Sequence, residues 1–490
     1  MNRYILALVV FLASCTTNTT IAQLKLSQTP QINSVLKPAN DSRDYGYLTL
    51  SNGIRTIVVS DPELDEFSVN LRLGEGSIND PTDQRGFAHL FEHLFFGGTV
   101  RYSFLNYFEN ARRVRFLGAD KEDTTVAKTF STSTELGFHV TQDKIEKALP
   151  MFQKMLQGDF TVKETKRGIR SLNRHRVVKA KEFKKMFFAD ANPLHPISFF
   201  EGDPTNYVAK SDSLEDAKVI RQQLLHHYNT RFSANNITLA IVGSESLDKL
   251  AGYAETYFSF IPNLQVTAKK ITVEAYPKDN LPRTLYIEPT SYLKNLSNRL
   301  IVQFFIPNNL TDWQTNPNEY IAWLLTNDNA SSLNSWLLES NYISRLYIDN
   351  TPDQFATSGY LSVEMALTET GENNRQQIID MVYRHLGNLQ QSALNEKAYL
   401  EYIDDSNKKF EQLEMQDAKT LAGKLSDNLF VYPAEFALKA EYTALKYDPA
   451  AIQQVLNCLK KDNSRVIQFK QRDNMQTNPQ LAFRYKVERE

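Results

Sequence analysis

What most constrains this chain is an order of elements that runs through once and then starts again. Leu48-Thr49-Leu50, the turn Ser51-Asn52-Gly53 and Ile54 to Val59 read as a hairpin, because Asn-Gly favours a tight turn. Phe67-Ser68-Val69-Asn70-Leu71-Arg72-Leu73 alternates apolar and polar side chains, as a half-buried strand does. Gly86 to Phe96, Glu146 to Leu156 and Lys163 to Lys185 read as helices, followed by a strand at Asn236 to Val242 and a helix at Leu247 to Phe260. A polar linker runs from about Asn263 to Pro282. Strands at Thr284 to Ile287 and Arg299 to Ile306, a helix from Asn318 and a strand at Tyr360 to Leu367 then repeat the order, and helices fill most of the rest to Lys460. The expectation is an α+β chain of two similar units, 46–265 and 275–490, each a mainly antiparallel sheet packed with helices. The repeat lies in element order, not in residue identity.

Length and charge narrow the functions. With 490 residues, 42% of them hydrophobic, the chain can bury more than one core. A formal charge of -2 gives no support to nucleic acid or an anionic membrane surface as the main partner. The two cysteines, Cys15 and Cys458, sit at opposite ends, so any metal must be held by histidine and carboxylate.

The first residues read as an export signal, 1–22. Arg3 supplies the basic start, and Ile5 to Ala13 form an apolar run too short to span a bilayer. Leu12-Ala13-Ser14-Cys15 is similar to a bacterial lipobox, in which the cysteine is lipidated and becomes the mature N-terminus; ordinary cleavage after Thr20-Ile21-Ala22 is the competing reading. Residues 23–45 read as a polar leader. The expected location is the periplasm or an outer-membrane tether, with a lipid anchor the only membrane contact.

The sharpest chemical signal is His89-Leu90-Phe91-Glu92-His93. Two histidines four apart on a helix share a face, so both imidazoles can reach one metal ion. Glu92 lies beside them, placed to take a proton from water that the metal has acidified. H-x-x-E-H is the inverted form of the commoner zinc-protease motif. The alternative, two unrelated histidines on a surface helix, fits poorly with the flanking Leu90, Phe91, Leu94, Phe95 and Phe96, which mark a buried segment where unpaired polar groups are costly.

Several segments in a shared order resemble the insulinase (pitrilysin, or inverzincin) family of zinc metallopeptidases. Gly86 to Thr99 is similar to that family's active-site helix and following turn. Asn192-Pro193-Leu194-His195-Pro196 with Phe200-Glu201-Gly202 resembles its N-P-x-H-P segment. Ser233-Ala234-Asn235 and Ile241 to Asp248 resemble the end of its first domain, and Leu367-Thr368-Glu369-Thr370-Gly371 a stretch of its second. The resemblance implies two insulinase-type domains, one zinc ion, His89 and His93 as ligands, Glu92 as general base, and peptides as substrates.

Two departures stand against turnover. The resemblance implies a third zinc ligand, a Glu closing an E-x-x-x-x-x-x-E segment. Here Glu164 matches the first Glu, but the ligand position falls on Ser171. Glu164, two turns earlier, and His175, one turn later, are the candidate substitutes. The family's N-A-x-T substrate segment reads Lys121-Glu122-Asp123-Thr124. Large members of the family join two such halves around a chamber, and this sequence matches one, so a second half-chain or a homodimer is the expected partner. Two readings follow: a zinc-dependent endopeptidase of the cell envelope with weakly held zinc, or a non-catalytic peptide-binding or structural subunit of a heterodimer.

Overall fold

The computed structural model describes residues 31–81, 84–97, 125–158, 160–174, 186–198, 213–289, 296–392, 394–478 and 483–489. The expected signal segment 1–22 with Cys15, the segment Lys121 to Thr124, and His175 lie outside the described residues.

The first unit is a seven-stranded sheet of β1 (Asn33–Ser34), β2 (Asp44–Thr49), β3 (Arg55–Ser60), β4 (Glu66–Leu73), β5 (Thr125–Thr129), β6 (Thr134–Thr141) and β7 (Ile237–Gly243). Its spatial order is β1-β2-β3-β7-β4-β6-β5. Only β3 and β7 run parallel; the other neighbours are antiparallel. Its helices are α1 (Phe87–Gly97), α2 (Ile145–Leu156), α3 (Val162–Arg174), α4 (Leu214–Arg231) and α5 (Leu247–Phe258). Phe67, Val69, Leu71, Leu239 and Ile241 pack on the apolar faces of these helices.

The second unit repeats this plan. Its strands are β8 (Arg283–Ile287), β9 (Arg299–Pro307), β10 (Ile343–Thr351), β11 (Ser358–Leu367), β12 (Ser464–Phe469), β13 (Gln476–Asn478) and β14 (Phe483–Arg489), in the order β10-β11-β9-β12-β8-β14-β13. The parallel pair β8–β12 recurs at the position of β3–β7. Its helices are α6 (Pro317–Thr326), α7 (Leu333–Glu339), α8 (Glu369–Asn373), α9 (Arg375–Ser392), α10 (Glu396–Glu411), α11 (Ala418–Val431) and α12 (Pro449–Leu456). The expected α+β class holds: two helix-packed sheets, each largely antiparallel around one parallel pair. Among the described residues no helix is long and apolar enough to cross a membrane.

One expectation changes. The leader does not stay apart as far as residue 45, because β1 pairs with β2, Val35 is buried, and Asp41 and Arg43 form a buried ion pair at 2.7 Å. A buried pair closed by two residues of one segment satisfies both charges locally. That lets a polar stretch lie against the sheet.

Every residue of the central strands β7, β8 and β12 is buried, so each sheet is covered on both faces. Each unit supplies the other's second cover. Ala418, Leu421, Ala422, Leu425 and Leu429 of α11 lie on Ile57, Val59, Ala240 and Val242 of the first sheet. Phe187, Phe188 and Ile197, from the segment before α4, lie on Leu285, Ile287, Ile467 and Phe469 of the second. Gly423 lets α11 approach closely, since a Cβ there would stand 3.2 Å from Glu135 Oε1. Ser426 hydroxyl donates to Asn70 Oδ1 at 2.7 Å across the same contact.

His195 ties the units together. It is 1% exposed, its Nδ1 accepts from the Ile197 N–H at 3.0 Å, and its ring meets Phe355 of the β10–β11 hairpin edge-on at 6.0 Å. Burial pushes its pKa down to about 4, and the Arg85 charge acts in the same direction. His227, beside Phe87 of α1, is likewise lowered to about 4, by burial first and then by Arg231 and Lys269. Both folded-state values lie below the unfolded value of about 6.5, so the unfolded chain takes up more protons. This stability is complete above about pH 6.5 and is lost as pH falls toward 4. At pH 5 the loss amounts to about 2 kcal/mol for each histidine. Thermal midpoints measured from pH 7.5 to 5 should fall, and His195→Gln should flatten part of that slope.

Candidate active site

Helix α1 starts where it does because an acidic side chain meets its open end. Asp80, buried at 2% exposure, accepts from the N–H groups of Gly86 at 2.6 Å, Phe87 at 3.0 Å and Ala88 at 3.0 Å. These first-turn donors have no partner within the helix, and a carboxylate at this end also meets the positive pole of the helix dipole. Gly86 takes φ 97°, a left-handed conformation that suits glycine. Phe87, Leu90, Phe91, Leu94 and Phe95 all enter the first core.

The motif residues fall on another side of the same helix. The His89 and His93 rings lie 4.8 Å apart between centroids, tilted by 40°. His89 is buried and His93 half-buried. Glu92 is half-buried, and its Oε2 accepts from Thr129 Oγ1 of the edge strand β5 at 2.6 Å. Two imidazoles one turn apart beside an oriented carboxylate match the chemistry of a zinc-hydrolase donor set, less one ligand.

The candidate third ligands divide. Helix α3 crosses α1 at Gly168, where a Cβ would stand 2.9 Å from Leu94 Cδ2 and 3.1 Å from Leu90 Cδ1. Residue 171 lies about one turn further along α3, so this helix is the one that runs beside the histidines. Glu164 is held at the start of α3, where its Oε2 accepts from Thr161 N–H at 2.7 Å and Thr161 Oγ1 accepts from Glu164 N–H at 3.2 Å. This reciprocal cap employs the carboxylate in holding the helix end. Among the described residues, no three His, Cys, Asp or Glu side chains gather closely enough to hold a metal.

Sequence reading missed two residues that shape the site. Asp80 stands six residues before Gly86, beyond the usual cap spacing, so local pattern gave no sign of it. Thr129 had a legible signal, since Val126-Ala127-Lys128-Thr129 carries an A-x-T spacing and forms the strand against α1.

Comparison with known proteins gives one family throughout. The family model "Insulinase (Peptidase family M16)" matches residues 55–191, "Peptidase M16 inactive domain" matches 218–404, and "Middle or third domain of peptidase_M16" matches 410–489. The Drosophila melanogaster insulin-degrading enzyme is 26% identical over 455 residues, covering 89% of this chain and 43% of that enzyme. The chain thus spans less than half the length of the curated relatives it matches. The pitrilysin crystal structure superposes with a TM-score of 0.82 at 23% identity, over 94% of this chain and 48% of pitrilysin. An M16-like peptidase of Alicyclobacillus acidocaldarius, 16% identical with a TM-score of 0.61, aligns over 88% of this chain and 99% of its own length. Three consecutive family matches, with H-x-x-E-H on the helix between β4 and β5, establish that this chain belongs to the insulinase–pitrilysin family of M16 peptidases.

Proposed function

We propose that this chain binds peptides and zinc as one half of an insulinase-type metallopeptidase in the bacterial cell envelope. The observation that carries this is the convergence on α1 of His89, His93 and a Glu92 oriented by Thr129. His89 and His93 would hold the ion, which when bound polarises a scissile carbonyl and acidifies water. Glu92 is the base that accepts the water proton, and the Thr129 hydroxyl fixes one of its oxygens. Half-length relatives of the same fold support a second half-chain, or a second copy, as the other wall of a peptide chamber. The reading of residues 1–22 as an export signal, with Cys15 in a lipobox-like run, supports the envelope.

Zinc titration of the purified protein tests this. One equivalent should bind, and His89→Ala or His93→Ala should each abolish binding, because a single remaining imidazole cannot hold the ion. Full zinc occupancy in either variant would sink the assignment. Ser171 favours a second reading, a non-catalytic peptide-binding or structural subunit. In that case no fluorogenic peptide is cut by this chain with zinc, alone or with a partner half.

A further inference from the structure

The internal repeat puts a cavity of the second unit at the place that the candidate active site holds in the first. In the first unit α1 follows β4 and faces the edge strand β5, and Glu92 accepts from Thr129 of β5. In the second unit α6 follows β9 and faces the edge strand β10, and Glu319 Oε1 accepts from Asn350 Nδ2 of β10 at 3.0 Å. Glu319 is thus the topological counterpart of Glu92. At this end of α6 lies a cavity of about 370 Å³, walled by the aromatic rings of Trp313, Tyr432 and Tyr442 and by the carboxylates of Asp312, Glu319 and Glu441. That volume suits a small organic group, and the lining joins apolar surface to a few placed polar atoms.

We propose that this cavity binds an organic cation: an alkylammonium or guanidinium such as a basic peptide side chain carries. Three observations carry it. First, the carboxylates outnumber the cations paired with them. Among the described residues Glu441 pairs with Lys424 at 2.9 Å, whereas Glu319 accepts a hydrogen bond from the Asn350 amide and forms no ion pair, the nearby cation Lys409 being paired with Asp405, and Asp312 forms no ion pair. Glu319 lies at the exposed rim of the cavity and faces the Glu441 carboxylate, a repulsion that a bound cation relieves and that Lys409 offsets only in part. Second, the wall already accommodates an ammonium, because Lys424 Nζ lies over the Tyr442 ring at 5.3 Å while touching Glu441. An aromatic face beside a carboxylate is the pairing that selects cations. Third, the polar rim is fixed in place. Asn309 and Asn318 hydrogen-bond each other both ways, at 3.0 and 2.9 Å, and Asn318 donates to Asn350 Oδ1 at 3.1 Å. Pre-set polar groups lose little entropy when a ligand arrives.

That the cation belongs to a peptide rests on the proposed function; the cavity chemistry does not. Trp313 is one of three tryptophans, so its emission reports on the wall. The full chain is titrated with acetyl-Ala-Lys-Ala-amide, with the same peptide acetylated on the lysine nitrogen, and with butylamine. Saturable change with the charged peptide and none with the acetylated one is expected, disappearing in Trp313→Phe. Glu319→Gln should weaken binding roughly tenfold, and Asp312→Asn should weaken it in the same direction, with circular dichroism confirming that both fold. Butylamine binding as tightly as the peptide would support the cavity and assign it to free amines. Flat titrations with both amines, equal binding of the acetylated peptide, or unchanged affinity in folded Glu319→Gln and Asp312→Asn would overturn the proposal. None of these measurements uses zinc or Glu92, so this site and the peptidase reading can fail independently.

Discussion

Replacing Asp190 with alanine is expected to lower the thermal midpoint by on the order of 10 °C, the loss of about 3–5 kcal/mol that follows when a buried charge is left without its partner. Asp190 belongs to the segment that leaves the first unit and lies on the second sheet, and its side chain is 1% exposed. It meets two guanidiniums of that sheet: Arg283 of β8, with Nε at 3.0 Å from Oδ2, and Arg465 of β12, bonded to Oδ1. The Arg465 side chain is fully buried. It also donates to the Tyr276 hydroxyl at 2.6 Å and to Gln303, and it stacks over the Tyr276 ring at 4.6 Å. Without the carboxylate, two cations would remain side by side in a space without water. Arg465→Met should cost less, because Asp190 keeps Arg283 and the methionine fills part of the volume. Denaturant melts of both variants decide the matter. An Asp190→Ala protein as stable as the wild type would show that this cluster does not brace the units.

Ser171→Glu should tighten zinc about tenfold or more, because it adds a charged oxygen donor to a site with two imidazoles. The geometry behind this is the crossing of α1 and α3 at Gly168, which brings the next turn of α3 alongside the histidine helix. Peptidase activity should rise with zinc affinity and vanish when Glu92→Gln is added, since the base is then gone. If zinc affinity does not change while His89→Ala still destroys it, the third ligand comes from elsewhere. Glu164 would then have to leave its cap on Thr161, which a Thr161→Ala variant would make easier. Tighter zinc without cleavage, even with a partner half added, would favour the non-catalytic reading.

Much of this architecture is legible in contiguous residues. The recurrence of strand and helix signals identified two like units, since each unit's periodicity is a local property of contiguous residues. His89, Glu92 and His93 were legible for the same reason: four residues along one helix already fix how the side chains stand to one another. Pairings between distant residues emerge only from the folded chain. No local pattern says that Asp80 closes the end of α1, that Thr129 orients Glu92, or that residues 33–45 join the first sheet. Nor could it show that α11 and the segment around Phe187 exchange places as covers, because each meets a sheet far from it in sequence. Asp190 and Arg465 are 275 residues apart, and their pairing became necessary only once folding had removed water from both. Apolar periodicity is written in the chain, whereas the partner of a buried charge is chosen by which surfaces meet.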